Sequence, residues 1–268
     1  TLFLFVISLT AQENINYNKF RQLKQELATP NVYRTAAGTP GHNYYQQQAN
    51  YIIKIELDDK NQKIYGEETI TYINNSPDAL PYLWVQLDQN VRAKNSETKK
   101  VQTSSINEKT SFKNLKRLMN DFDGGFKLDY VQNTDGSALK HTINKTMMRI
   151  DLDQPLGQGE EFSFNIKWWY NLNDRMQIGG RSGYEYFEDE DNYLYTIAQF
   201  FPRMAVYNDV EGWQNKQFLG RGEFTLPFGD YKVSITTPSD HTVASTGVLQ
   251  NPKEVLSNAQ IEIQLIAS

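Results

Sequence analysis

Ala49-Asn50-Tyr51-Ile52-Ile53-Lys54-Ile55-Glu56-Leu57-Asp58 is the stretch that decides the fold. Tyr51, Ile53, Ile55 and Leu57 fall on every second position, with Lys54 and Glu56 between them. A period of two puts the apolar side chains on one face of an extended strand and the charges on the other. The polar run Asp58-Asp59-Lys60-Asn61-Gln62-Lys63 then predicts a turn. A second β-rich run follows over residues 64–74 and closes at Asn75-Ser76-Pro77-Asp78, whose residue types favour a turn. Leu83, Val85 and Leu87 alternate again as a third strand.

Working downstream, strand patterns recur at residues 126–132 and 147–152. Pro155-Leu156-Gly157-Gln158-Gly159 turns into the strict alternation of residues 162–168, and residues 231–235 and 261–265 alternate as well. About nine strands without βα alternation predict an all-β fold, an antiparallel β-sandwich or saddle-shaped sheet. The polar stretch 91–123 interrupts it as an insertion, with Phe112, Leu115, Leu118 and Met119 as the apolar stripe of a short helix.

Upstream, Phe20, Leu23 and Leu27 suggest an amphipathic helix within residues 13–28, and Pro30, Gly38, Pro40 and Gly41 an extended lead-in. The apolar run from Leu2 to Leu9 is too short to span a bilayer. With the small residues before Gln12 it matches the end of a secretory signal, and a buried N-terminal strand is the other reading. The chain stops inside the alternation of residues 260–268, so it reads as a piece of a longer protein. The expected organisation is a signal remnant over 1–11, a lead-in over 12–48 and a β-saddle domain over 49–268.

Composition narrows the function. The 268 residues are 39% hydrophobic and 13% aromatic, enough for a sizeable core. A net charge of −5 leaves no broad basic surface, so nucleic acid is not an expected partner. The absence of cysteine removes disulfides, thiolate metal sites and cysteine nucleophiles. His42, His141 and His241 lie about a hundred residues apart, and no H-E-x-x-H can be written. There is no G-x-S-x-G elbow, and Gly179-Gly180-Arg181-Ser182-Gly183 and Gly220-Arg221-Gly222 read as turns. Glu185, Glu188, Asp189, Glu190 and Asp191 read as a charged hairpin tip between Tyr186-Phe187 and Tyr193-Leu194-Tyr195, with a hard-cation site as the alternative. Trp168, Trp169 and Trp213 are core candidates that would otherwise form a stacking platform.

Specific runs resemble the aminopeptidase N family of zinc peptidases. Tyr45-Gln46-Gln47-Gln48-Ala49-Asn50-Tyr51 resembles its opening. Tyr65-Gly66-Glu67-Glu68-Thr69-Ile70-Thr71-Tyr72-Ile73-Asn74-Asn75-Ser76-Pro77 and Leu83-Trp84-Val85-Gln86-Leu87-Asp88-Gln89-Asn90 resemble its second and third strands. Ala198-Gln199-Phe200-Phe201-Pro202-Arg203-Met204-Ala205-Val206-Tyr207-Asn208-Asp209, followed by Gly212-Trp213, is similar to a bacterial segment that faces the catalytic domain. Residues 222–233 and 243–252 continue the order, so the resemblance covers about residues 40–255.

The resemblance implies an N-terminal β-saddle domain that caps a zinc-dependent catalytic domain of the same polypeptide, in an exported periplasmic or extracellular protein. Zinc, the H-E-x-x-H helix and the G-A-M-E-N loop belong to the later domain, so no metal ligand and no catalytic residue is assigned here. By its place in the motif, Gln199 is the residue expected to hold the amine of a peptide substrate's N-terminus. The run after it departs from that of many relatives, and its other reading is a structural glutamine at a strand end. Arg203, Tyr207, Asp209 and Trp213 are expected to brace the interface between domains. A non-catalytic binding module, or a domain of an inactive relative, is the alternative.

Overall fold

The computed structural model describes residues 30–101, 108–112, 115, 121–220, 222 and 224–261. The run from Leu2 to Leu9, the expected helix within 13–28, and Leu118 and Met119 lie outside the described residues.

Strands β1 (Gln48–Asp58) and β2 (Lys63–Ile73) form a hairpin around the turn expected at 58–63. The alternation is obeyed throughout β1, where Ala49, Tyr51, Ile53, Ile55 and Leu57 are buried. Strands β3 (Leu80–Gln86), β4 (Lys127–Asn133), β5 (His141–Asn144), β6 (Met147–Leu156) and β7 (Glu161–Asn171) follow. Beyond them come the hairpin β8 (Gly183–Phe187) and β9 (Asn192–Thr196), then the short pieces β10 (Arg203–Met204), β11 (Tyr207–Asn208) and β12 (Gly212–Trp213), and finally β13 (Tyr231–Thr236).

Two sheets enclose the core. One has the order β13-β1-β2-β7-β4 and the other β10-β3-β6-β5. Their apolar faces meet in a single cluster that includes Ile53, Ile70, Tyr72, Leu83, Val85, Met148, Ile150, Phe164, Ile166 and Trp168. Gly66 lies opposite Trp168 in the β2–β7 register, and a Cβ there would sit 2.3 Å from the indole. Only glycine lets that ring lie flat across the strand. The all-β fold is as expected, with one departure from antiparallel pairing: β13 runs parallel to β1. β5 and the two-residue strands were not read from sequence, because β5 is exposed at every residue and two residues are too few to show a period.

Two further expectations are corrected. The lead-in is folded back rather than extended: Gly41 N–H donates to the Tyr33 carbonyl at 2.7 Å, and Arg34 Nε donates to both carboxylate oxygens of Asp209 at 2.9 Å. Asn90, just before the stretch read as an insertion from residue 91, is built into the body; its amide donates to the Lys145 carbonyl and accepts from Phe126 N–H. Phe112 and Leu115 are helical, and Phe112 is 82% exposed, in keeping with an insertion at the surface. Finally, Gln260 and Ile261 are helical, not strand, and the rest of that alternation lies outside the described residues. Ser257 and Gln260 form a reciprocal cap: Gln260 Oε1 accepts from Ser257 N–H at 2.8 Å, and Ile261 N–H closes the turn on the Ser257 carbonyl. That S-x-x-Q pairing is a helix-start signal that overrides a short alternation.

The turn after β2 is a polar hub. Asn74 is fully buried and donates to the carbonyls of Asp78 and Leu156, while its oxygen accepts from Gln47 and Ser76. It ties the β2–β3 turn to the β6–β7 turn, so each side-chain position of Asn74 is used.

Candidate functional site

The run from β9 to β10 crosses one end of the two sheets, and its main chain is held from three sides. The Ser182 hydroxyl accepts from Ala198 N–H at 2.9 Å and donates to the Ala198 carbonyl at 2.8 Å. Gln89 Nε2 donates to the carbonyls of both Ala198 and Gln199 at 3.0 Å, and Arg92 donates to its oxygen at 3.1 Å. Trp168 Nε1 donates to the Phe200 carbonyl at 3.1 Å. Ser182 and Gln89 are buried, so these are satisfied polar groups in a dry setting.

Within this frame Gln199 adopts φ +53°, a left-handed backbone that a side chain disfavours. Such a conformation costs on the order of 1 kcal/mol and persists where surrounding bonds over-determine it. The Gln199 side chain is half-exposed, and among the described residues its amide makes no hydrogen bond. The structural task that sequence alone allowed for Gln199, satisfying backbone groups at a strand end, is performed by Gln89.

Beneath the segment lies a layer of buried polar side chains. Arg203 pairs with Asp88, which is 1% exposed, and stands opposite Gln86 in the β10–β3 register. Burial raises the Asp88 carboxyl above its ordinary value, with Arg203 pulling the other way. Glu68 projects into the same core from β2, is 1% exposed, and neither of its carboxylate oxygens has a hydrogen-bond partner. Desolvation alone pushes its pKa well above 4.5. Burial of this kind favours the neutral form of the carboxyl. Its contribution to stability is complete below 4.5 and is lost as pH rises toward the folded-state value. Chemical denaturation of Glu68→Leu between pH 4 and 8 is therefore expected to show a gain of about 1–3 kcal/mol at pH 8 and a smaller one at pH 4. A gain that grows toward acid pH would contradict a neutral Glu68.

The other site residues read from sequence are placed as follows. Tyr207 donates to Asp78 at 2.7 Å, Asp209 receives Arg34, and Trp213 packs 5.3 Å from Tyr207 and 5.9 Å from Tyr72. With Arg203 on Asp88, all four brace parts of this chain against one another. Trp168 is fully buried in the core. Glu188, Asp189, Glu190 and Asp191 sit at the tip of the β8–β9 hairpin, as expected, whereas Glu185 lies within β8 and pairs with Arg175. His42 is in the lead-in, His141 on β5 bonds the Leu139 carbonyl, and His241 bonds Asp240 in the turn after β13. Among the described residues no group of three or more His, Asp or Glu side chains is placed to hold a metal ion. The described donors do not form a zinc site.

Sequence reasoning missed Gln89 and Ser182. The one available signal was polar density where apolar alternation ends: Gln86, Asp88 and Gln89 directly follow Leu83 and Val85, and all three are buried.

Fold and site together define an all-β, two-sheet domain with a rigidly held polar segment at one end. No family model matches the sequence, and no curated protein matches it. Among solved structures it is similar to the M1 zinc metallopeptidase of Deinococcus radiodurans. A point mutant of that enzyme aligns at 11% identity over 78% of this chain and 37% of its own length, with a TM-score of 0.39. The same mutant bound to a Tyr-Ser-Ala substrate aligns at 13% identity over 79% and 37%, also at 0.39. The enzyme without the mutation aligns at 12% over 78% and 36%, at 0.38. The chain thus spans little more than a third of the length of those structures. No helix among the described residues is long and apolar enough to cross a membrane.

Proposed function

We propose that this chain is the N-terminal capping and substrate-positioning domain of an exported zinc-dependent aminopeptidase, and that Gln199 receives the ammonium group of the substrate's first residue. The observation that carries the reading is the state of Gln199. Its main chain is pinned by Gln89 and flanked by the bonds of Ser182 and Trp168, while its amide is left unspent. A group held in place before the ligand arrives loses little entropy on binding, which is the requirement for positioning a small cationic end group. The ordered resemblance over residues 40–255 supplies the substrate class. The two-sheet core behind Gln199 provides the stiff wall needed to close one side of a cleft.

In this reading zinc supplies Lewis-acid chemistry from a separate domain of a longer polypeptide, and this chain contributes orientation and exclusion of water. The export part rests on the apolar run from Leu2 to Leu9 and on the small residues before Gln12. The test is an assay of the complete protein on peptides with free and acetylated N-termini, with and without a chelator. Release of first residues from free peptides only, abolished by the chelator and not given by residues 12–268 alone, is the expected result. Chelator-sensitive turnover by residues 12–268 alone, or no turnover by the zinc-loaded complete protein, would sink the proposal.

A further inference from the structure

We infer that the outer half of the β8–β9 hairpin is a docking surface for cationic peptide segments that carry apolar residues. The hairpin forms its own two-stranded sheet and joins neither of the larger ones. Its base is fastened: Tyr195 donates to Asp59, and Arg175 bridges Glu185 and Thr196. Tyr184 and Tyr195 pack against the core there. Beyond that base nothing among the described residues covers it. Tyr186 is 47% exposed, Phe187 45% and Leu194 49%, and they fall on both faces. A free two-stranded ribbon with apolar groups on both sides is marginal in water, which marks it for a partner.

The chemistry of that partner follows from rings and charges. Tyr184 lies opposite Tyr195 and Tyr186 opposite Tyr193, with ring centroids 4.8 Å apart in the latter pair and 6.0 Å between Tyr193 and Tyr195. The line of rings ends at Glu188, Asp189 and Glu190, which are exposed and make no side-chain hydrogen bond or ion pair among the described residues. No Lys or Arg occurs from residue 182 to 202. Ring faces and unpaired carboxylates both attract cations. Two acidic tips repel, so a second copy is disfavoured as the occupant, and an anionic lipid surface is disfavoured for the same reason. An extended segment alternating Arg or Lys with apolar residues satisfies rings and tip together.

This inference does not rest on the aminopeptidase reading, and its test involves no catalysis. An acetylated hexapeptide of alternating arginine and phenylalanine is titrated into the isotope-labelled chain, with a glutamate–phenylalanine hexapeptide as the control. Saturable shifts confined to residues 183–196 are expected for the basic peptide and none for the acidic one. Asp189→Lys with Glu190→Lys should weaken binding about tenfold without altering the fold, because both side chains are exposed and unbonded. Tyr186→Ser should weaken it about 2- to 5-fold. Equal binding of the acidic peptide, shifts elsewhere in the chain, indifference to the tip reversal, or self-association through the same amides would each overturn the inference.

Discussion

Arg203→Ala is expected to lower the unfolding free energy by about 3–5 kcal/mol, the usual consequence of removing one member of a buried ion pair. Asp88 is 1% exposed and Arg203 is its salt-bridge partner, so the variant leaves a carboxylate in the core without its counter-charge. The pH dependence separates this cause from lost packing. Burial already raises the Asp88 carboxyl above 3.8 while Arg203 opposes the rise. Without Arg203 the folded-state value climbs further. A raised carboxyl contributes stability that is complete below its unfolded value and lost as pH rises, so the gap between variant and wild type should widen from pH 4 to pH 7.5. Urea melts at the two pH values measure it. A gap independent of pH would show that Arg203 acts through its methylenes. Replacing both partners by apolar residues of similar size, Asp88→Leu with Arg203→Met, should recover most of the loss.

Under the proposed function, Gln199→Ala in the complete protein is expected to lower kcat/KM by about 10- to 150-fold. This is the equivalent of one hydrogen bond to a charged group, worth roughly 1.5–3 kcal/mol. The melting temperature should stay near wild type, because the amide of Gln199 bonds nothing among the described residues and the segment is held through main-chain groups. Metal content should also be unchanged, since Gln199 belongs to no group of metal donors among the described residues. The loss should require a free amine: an N-acetylated substrate, already poor, should lose little more. Wild-type kcat/KM at an unchanged melting temperature would remove Gln199 from substrate binding. A fall in stability with equal losses on both substrates would make it structural. Gln89→Ala is the companion, expected to reduce both stability and activity because two carbonyls lose their donor.

The strands were legible wherever one face is buried and the other wet. In β1 and β7 every second residue is apolar and buried, from Ala49 to Leu57 and from Phe164 to Tyr170, with Ile52 and Trp169 the apolar residues on the outward faces. The acidic hairpin tip was legible too, since the four consecutive carboxylates Glu188 to Asp191 would repel one another within a strand. Alternation failed at residue 260, where a local side-chain cap competes with it, and at β5, where neither face is buried.

The sequence by itself determined the fold class, the first turns and the inward faces of β1 and β7, because these depend on periods of two and on neighbours within a few residues. Only the tertiary structure decided how distant segments meet. It set β13 parallel to β1, Arg203 against Asp88 across 115 residues, and Gln89 beneath the carbonyls of Ala198 and Gln199. The physical reason is that each of these contacts joins polar groups from segments remote in sequence, and no local pattern records which donor reaches which acceptor. Gln199 stands out only once that pairing is known: its neighbours' polar groups are consumed inside the fold, and its own amide is not.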